Sequence, residues 1–189
     1  IVHRAIKCFG AGESQVEAML PDLIRRGRQP TVGITASQAT ISLRIAAEGA
    51  TEQECSAAME TTVATIYKCL GSLIFGEEDD ELQHVVLRML QERGHALATL
   101  ECATAGLLAE RLGSVADAAK AYRGGMILPQ AGEPVDAMAA HCLKQFSADY
   151  GLAVGPVLPS VRDAEKRAGQ GGEAVLPTTV TLALASASG

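Results

Sequence analysis

Aromatic side chains are scarce in this sequence. Phe, Tyr and Trp make up 3% of the residues and Trp is absent, whereas 48% of the residues are hydrophobic. The protein core must therefore consist mainly of Ala, Val, Leu and Ile, and ring stacking can contribute little to it. The chain of 189 residues is long enough to bury one large core or two small ones.

Basic residues are also few. The chain has 16 Lys and Arg against 22 Asp and Glu, which gives a formal net charge of −6. A surface that binds nucleic acid needs clustered cations for its phosphate contacts. We therefore expect no nucleic-acid partner.

Long apolar runs are missing. No run approaches the roughly 18 residues of a membrane span, and no charged start followed by an apolar stretch indicates a signal peptide. We therefore expect a soluble, cytoplasmic protein with no membrane partner. Because the first residue is Ile rather than Met, we also expect the chain to begin inside a longer protein.

The cysteines show no metal-binding or disulfide pattern. There are five of them, an odd number, and no pair has C-x-x-C spacing. This argues against a disulfide framework and a zinc site and favours a reducing compartment. We expect neither a metal nor a cofactor.

The first part of the chain has the periodicity of a small α+β domain. Alternating apolar residues predict strands, and residues 14–17 and 51–54 have the spacing of capping boxes at the starts of two helices. The predicted order is β-α-β-β-α-β. The predicted strands are residues 1–9, 31–36, 40–47 and 73–75, and the predicted helices begin near residues 14 and 51 and end near Gly27 and Gly71.

An acidic, unpatterned stretch at residues 76–80 predicts a domain boundary, with domains at residues 1–78 and 79–189. Beyond it, helical and strand patterns alternate, which is typical of an α/β layer architecture. The predicted helices are residues 80–93, about 103–112 and 135–146; the predicted strands are residues 95–100, 124–128, 152–157 and 178–185, with a loop from Pro159 to Pro177.

Four short sequence motifs in the first part match the motifs of a known domain, in the same order along the chain. They are residues 9–14, 22–33, 42–49 and 75–77. On these motifs, the first segment resembles the connecting domain of CinA (competence/damage-inducible) proteins. The resemblance implies a KH-like α+β fold. Family members usually carry a molybdopterin-binding-like domain before this segment, and we expect that domain to be missing here.

From residue 80 the chain resembles the C-terminal domain of the same family, a nicotinamide-mononucleotide deamidase. The family word A-E-S-C-T-G-G-L-L-A aligns with residues 100–109, so Cys102 occupies the position of the nucleophilic Ser. The resemblance implies that Cys102 follows a strand and precedes a helix, whose N–H groups would stabilise an oxyanion and lower the thiol pKa.

The same resemblance implies a set of substrate-binding residues and marks losses. The substrate-binding candidates are Thr104, Gly106, Arg123, Gly124 and Gly125. The family's catalytic Tyr and Lys positions hold Pro129 and Pro134, which cannot transfer a proton. The phosphate-binding word falls on Gly155 and Pro156, so a Thr hydroxyl and a backbone N–H donor are lost. A C-terminal piece of the family domain is also expected to be missing.

A histidine could in principle replace the lost base, because a Cys–His pair needs only one ring beside the thiol. Of the four histidines, His95 lies a strand length before Cys102, and His84 falls on the polar face of a helix. His141 neighbours an apolar stripe and is the one plausible partner.

Three functional hypotheses remain. In the first, the fold is kept and the deamidase chemistry is lost, so that the protein acts in binding or assembly, as a homodimer and with nicotinamide mononucleotide or a related nucleotide as a possible ligand. In the second, Cys102 is the nucleophile of an active amidohydrolase that converts nicotinamide mononucleotide to nicotinate mononucleotide. In the third, the missing N-terminal domain carries the activity and this part is a scaffold.

Overall fold

The structure, a computed structural model, describes residues 1–25, 27–159 and 178–187. The chain forms two compact units, residues 1–85 and 86–189, each with its own hydrophobic core. This division falls inside a helix, and the boundary after residue 78 stays a prediction. Most of the loop predicted before Pro177 lies outside the described residues.

The first unit has the predicted β-α-β-β-α-β order. Its elements are β1 (Val2–Phe9), α1 (Glu13–Met19), β2 (Thr31–Ser37), β3 (Thr40–Ala47), α2 (Glu52–Leu70) and β4 (Ile74–Glu77). The strands form one sheet in the order β2-β3-β1-β4, in which all neighbours are antiparallel. Both helices contribute to the core on one face, and the other face carries Lys7, Thr35, Ser42 and Arg44.

The sequence explains α2 and its partner strand well. The Thr51 hydroxyl accepts a hydrogen bond from the Glu54 N–H at 3.2 Å, and the Glu54 carboxylate accepts one from the Ala50 N–H at 3.0 Å. Gly71 ends the helix with a φ of 49°, a conformation that glycine adopts without strain. The alternating apolar residues of β3, Ile41, Leu43 and Ile45, are all buried.

Two predicted boundaries in this unit were wrong. Helix α1 begins after Gly12, without a side-chain cap, and ends at Met19 instead of near Gly27, because the residue before Pro21 is disfavoured in helical conformation. Strand β4 extends to Glu77, whose carboxylate pairs with Arg4 at 2.9 Å. The predicted linker therefore begins later than expected.

The second unit is an α/β domain with helices on both faces of a sheet. Its elements are α3 (Leu82–Arg93, which begins in the first unit), β5 (Leu97–Glu101), α4 (Leu107–Gly113), β6 (Tyr122–Ile127), α5 (Val135–Gln145), β7 (Tyr150–Pro159) and β8 (Thr178–Ser186). The strand order is β6-β5-β7-β8. Strands β6 and β7 run parallel to β5, and β8 is antiparallel to β7.

Alternate residues of β5 belong to two different cores. Ala98 and Leu100 pack with α5, whereas Leu97 packs with Leu112 of α4 and Leu87 of α3. The parallel strands β5, β6 and β7 all end at the same edge of the sheet, which is where ligands bind in open α/β sheets.

Leu87 is the fully buried residue of α3, whereas Val86 and Met89 of the same helix are exposed. One predicted boundary in the second unit was wrong. Helix α4 begins at Leu107, because Ala105 and Gly106 have φ values of 51° and 93° and cannot continue a right-handed helix. In β8, Ala183 and Ala185 pack against the core, whereas Leu182 and Leu184 are exposed.

Within the described ranges, none of the helices combines the length and the apolar character that crossing a bilayer requires.

Candidate site at the carboxyl ends of the parallel strands

Cys102 lies directly after β5, in the turn at residues 102–106 that leads into α4. Its backbone N–H donates to the Val154 carbonyl of β7 at 2.9 Å, so the ladder between these strands continues into the turn. The predicted position between a strand and a helix is confirmed.

Glu101, the last residue of β5, organises this turn. It is fully buried, and its carboxylate accepts hydrogen bonds from the backbone N–H groups of Leu108 at 3.0 Å and Ala109 at 2.8 Å. The Thr104 hydroxyl donates to the same carboxylate. Three donors can hold a buried carboxylate. The first N–H groups of α4 are thereby occupied by Glu101 and are not available to a substrate.

The donors that remain belong to the turn itself. In the part of the chain that the structure describes, the N–H groups of residues 103–106 have no acceptor. Successive backbone N–H groups beside a left-handed residue form a concavity that suits anions. The turn can therefore still offer donors to a carbonyl oxygen.

The electrostatic expectation for Cys102 was wrong. Burial raises the pKa of the Cys102 thiol above its ordinary value of 9.0, whereas the resemblance implied a lowered value. Helix α4 is only seven residues long, and the Glu101 carboxylate already lies at its N-terminus. The thiol is therefore neutral near pH 7.

No histidine pairs with Cys102. Among the described residues the thiol has no hydrogen-bond partner. The His141 ring is instead 3.1 Å from the Glu133 carboxylate, and its side chain is 55% exposed. His95 packs edge-on against Tyr150, with 5.5 Å between ring centres, and the His84 ring accepts from the Glu81 N–H at 3.2 Å.

The structure separates the predicted substrate-binding residues. Thr104 and Gly106 lie in the turn, but Arg123 lies near the start of β6, exposed to solvent. Glu101 pairs with Ile127 of β6, so Cys102 lies beside the position one residue beyond Ile127 along that strand. At about 3.3 Å per residue, Arg123 is more than about 13 Å from that level along the strand.

Gly124 and Gly125 serve the packing of β6. A Cβ at Gly125 would lie 2.7 Å from the Tyr122 hydroxyl, which is 2.7 Å from the Thr99 hydroxyl in a hydrogen bond between β5 and β6. A Cβ at Gly124 would lie 3.0 Å from the Phe146 ring. Their retention therefore has a structural explanation in this chain.

Two of the positions at which the resemblance marks losses, Pro129 and Gly155, lie beside the Cys102 turn. The residue before Pro129, Leu128, donates its N–H to the Glu101 carbonyl at 2.9 Å, and Pro134 caps α5. Gly155 follows Val154, the partner of the Cys102 N–H. The turn after β5, the loop after β6 and the bulged end of β7 thus form one edge.

This edge is too crowded for the Thr that the resemblance implies at position 155, and its three segments lack cations. A Cβ at Gly155 would lie 2.5 Å from Cγ2 of Val135 and 3.2 Å from the Thr181 carbonyl. Sequence reasoning missed this contact, because no local pattern signals it. Residues 102–106, 128–134 and 155–159 contain no Lys or Arg, so no cation from these segments can neutralise a phosphate. No cluster in the described ranges is suited to a metal ion.

Two family models match the chain in succession. The model of the damage-inducible protein CinA KH domain matches residues 3–76, and the model of the CinA C-terminal domain matches residues 79–131.

The chain belongs to the CinA family.

Its match to the C-terminal model includes the Cys102 turn and Pro129, whereas Pro134, Gly155 and Pro156 lie beyond it.

Curated relatives agree with the family models. A competence-damage inducible protein of Caldanaerobacter subterraneus subsp. tengcongensis is 37% identical over 127 residues, which are 67% of this chain and 30% of that protein. A CinA-like protein of Dictyoglomus turgidum is 33% identical, over 67% of this chain and 31% of that protein. The chain thus matches about 30% of the length of these curated relatives.

Among solved structures, the competence damage-inducible protein A of Klebsiella pneumoniae is similar, with 28% identity and a TM-score of 0.42. The similarity covers 56% of this chain and 73% of that one.

Proposed function

We propose that this CinA-family chain keeps the fold of the nicotinamide-mononucleotide deamidase domain without its chemistry, and that it acts by binding or assembly in the cytoplasm. The observation that carries the proposal is the state of Cys102. Its thiol has a raised pKa and, within the described residues, no hydrogen-bond partner that could accept its proton.

Hydrolysis of the carboxamide through Cys102 would need three things. The thiol must lose its proton, the sulfur must attack the carbonyl carbon, and the leaving nitrogen must receive a proton to depart as ammonia before water cleaves the thioester. Pro129 and Pro134 can neither accept nor donate that proton. The absence of one general acid or base typically costs about 10²–10⁴ in rate.

The residues of this edge favour binding over catalysis. The free N–H groups of residues 103–106 can donate hydrogen bonds to a carboxamide oxygen. The same N–H groups support a second candidate function, that of an amidohydrolase with Cys102 as nucleophile. Binding of a nucleotide is weakened by the missing cations and by Pro156, which has no N–H. The proposed ligand is therefore nicotinamide mononucleotide or a related nucleotide, bound weakly.

The exposed side of β8 supports the assembly part of the proposal. Leu182 and Leu184 are 64% and 66% exposed, and Val180 is 42% exposed. Strand β8 is an edge strand of the sheet, and its nine residues include no charged residue and no Pro. Edge strands of proteins that do not associate through them are usually short, carry charged residues, or are broken by Pro or a β-bulge.

We infer that a second copy of this chain pairs with β8. The hydrophobic pattern of the strand is palindromic about Leu182, so in an antiparallel pair Leu182 faces Leu182 and Val180 faces Leu184 of the other copy. Such a two-fold arrangement joins identical surfaces. The absence of charge means that no like charges meet across the strands. This gives the homodimer that the family resemblance implies.

Cross-linking tests this assembly. Directly opposed residues of antiparallel strands have Cβ atoms about 4.5–5.5 Å apart, so Leu182→Cys should form a disulfide-linked dimer under mild oxidation. Leu107→Cys, at another exposed leucine, is the matched control. The unaltered chain is a second control, which measures cross-linking through the five native cysteines. A monomer in sedimentation, or equal cross-linking of both variants, would contradict the pairing.

The loss of catalysis is tested by ammonia release from nicotinamide mononucleotide, which should not exceed the release in buffer alone.

A further inference from the structure

The sheet of the first unit carries a hollow of about 490 Å³ on the face away from its helices. Arg44 of β3 lines this hollow, and its direct neighbours across the ladders are Ala5 of β1 and Gly33 of β2. Neither neighbour has a side chain larger than a methyl group. The guanidinium therefore has open space on both sides.

A row of hydrogen-bond donors lies next to Arg44. Ser42, two residues earlier on the same face of β3, pairs with Lys7 of β1 and with Thr35 of β2. Directly opposed residues have Cβ atoms about 4.5–5.5 Å apart, and diagonal neighbours are within reach of long side chains. The Lys7 ammonium, the Ser42 and Thr35 hydroxyls and the Arg44 guanidinium can therefore all reach one bound group above the sheet.

These donors are not used within the described part of the chain. The side chains of Arg44, Lys7, Ser42 and Thr35 form no ion pair or hydrogen bond there. Arg4 provides the contrast, because its guanidinium binds both carboxylate oxygens of Glu77. In a chain with net charge −6, two cations without a partner that face the same hollow require an explanation.

Two carboxylates at the rim restrict what can bind. Glu78 and Asp79 also line the hollow, and the Glu78 carboxylate accepts a hydrogen bond from the Ala5 N–H at 3.1 Å. They follow β4 in the chain, but the Glu78 carboxylate reaches back to β1, the strand next to Arg44. An extended polyanion that crossed the sheet would meet these charges, whereas one small anionic group on the β2 side of Arg44, over Gly33 and Thr35, is farther from them.

We propose that this hollow binds a single phosphate group, free or as the monoester of a small molecule. Arg44 donates two parallel hydrogen bonds to the phosphate oxygens, a geometry that guanidinium groups favour. Lys7 supplies a second positive charge, and the hydroxyls of Ser42 and Thr35 donate to the remaining oxygens. The site lies in the first unit and does not depend on whether the Cys102 edge is active.

Titration of the full chain with inorganic phosphate and, separately, with glycerol phosphate tests the site. Ionic strength is held constant, and binding is followed by the amide NMR shifts of the whole chain. We expect saturable shifts confined to β1, β2 and β3. Tighter binding of glycerol phosphate identifies a monoester ligand, and equal or weaker binding identifies free phosphate; both outcomes support the site.

Matched variants decide whether the binding is specific. Arg44→Gln should weaken phosphate binding on the order of tenfold, since it removes charge-assisted hydrogen bonds, and Thr35→Val should weaken it by a smaller factor with the shape preserved. Lys68→Gln removes the same charge from an exposed helical position and should leave binding within about twofold. Equal weakening by Arg44→Gln and Lys68→Gln, or shifts that do not saturate, would overturn the proposal.

Discussion

The Glu101 carboxylate accepts a hydrogen bond from the Ala109 N–H at 2.8 Å, across the turn that contains Cys102. A residue at the end of a buried strand thus caps a helix that begins six residues later. This link fixes the turn between β5 and α4. The family word around Cys102 therefore has a structural role that does not depend on catalysis.

Replacement of Glu101 by Gln should destabilise the second unit. The amide keeps one acceptor oxygen but places an NH₂ group against backbone donors, which leaves buried N–H groups without an acceptor. We expect a loss of about 2–3 kcal/mol in the free energy of unfolding, measured by urea unfolding. Glu110→Gln, on the exposed side of the same helix, should change stability by no more than about 0.5 kcal/mol. Equal effects of the two variants would refute the capping role.

The Cys102 thiol should react slowly with iodoacetamide. Because burial raises the thiol pKa above 9.0, the pH midpoint for alkylation should lie above that of the same cysteine in the urea-unfolded chain. Mass spectrometry of the peptide that contains Cys102 gives both rates. A midpoint at or below pH 7 would show an activated thiolate and support the amidohydrolase hypothesis.

Replacement of Gly155 by Thr, the residue that the resemblance implies there, should be unfavourable. The new Cβ would lie 2.5 Å from Cγ2 of Val135, and such overpacking typically costs about 1–3 kcal/mol. Val135→Ala in the same chain should recover part of the loss, because the two sites are in contact. Gly132→Ala, where a Cβ meets nothing within 4 Å, is the control. Additive effects of the Gly155 and Val135 changes would argue against this contact.

Stability should fall at alkaline pH through Cys8. Burial raises the pKa of the Cys8 thiol from 9.0 to about 11, so its neutral form stabilises the folded chain fully below pH 9. This contribution is lost as pH rises from 9 to about 11, and about 2 kcal/mol of it is gone at pH 10.5. The difference in unfolding free energy between the unaltered chain and Cys8→Ala should therefore shrink between pH 8 and 10.5. A constant difference would contradict the raised pKa.

Local signals explain what the sequence predicted. Thr51 and Glu54 have the spacing of a helix cap, and the alternation of Ile41, Leu43 and Ile45 marks the buried face of β3. Such patterns need only neighbouring residues, so the element order of the first unit and the position of Cys102 could be predicted before the structure.

Contacts between distant residues explain what the sequence did not predict. Leu87, not Val86, packs with Leu97 and Leu112, and in a helix with several apolar residues only the partners decide which side is buried. The raised pKa of Cys102 reflects burial by elements far along the chain. The same holds for Gly155, whose closest side chain is Val135.

Ammonia release from nicotinamide mononucleotide tests the loss of chemistry most directly. The full chain and its Cys102→Ala variant are incubated with the nucleotide, and ammonia is measured over time against buffer alone. We predict that both proteins release ammonia at the rate of the buffer. Among the described residues no base can accept the proton of the Cys102 thiol, and Pro129 and Pro134 cannot transfer a proton. Ammonia release by the unaltered chain above that rate, abolished by Cys102→Ala, would contradict this account and establish Cys102 as a nucleophile.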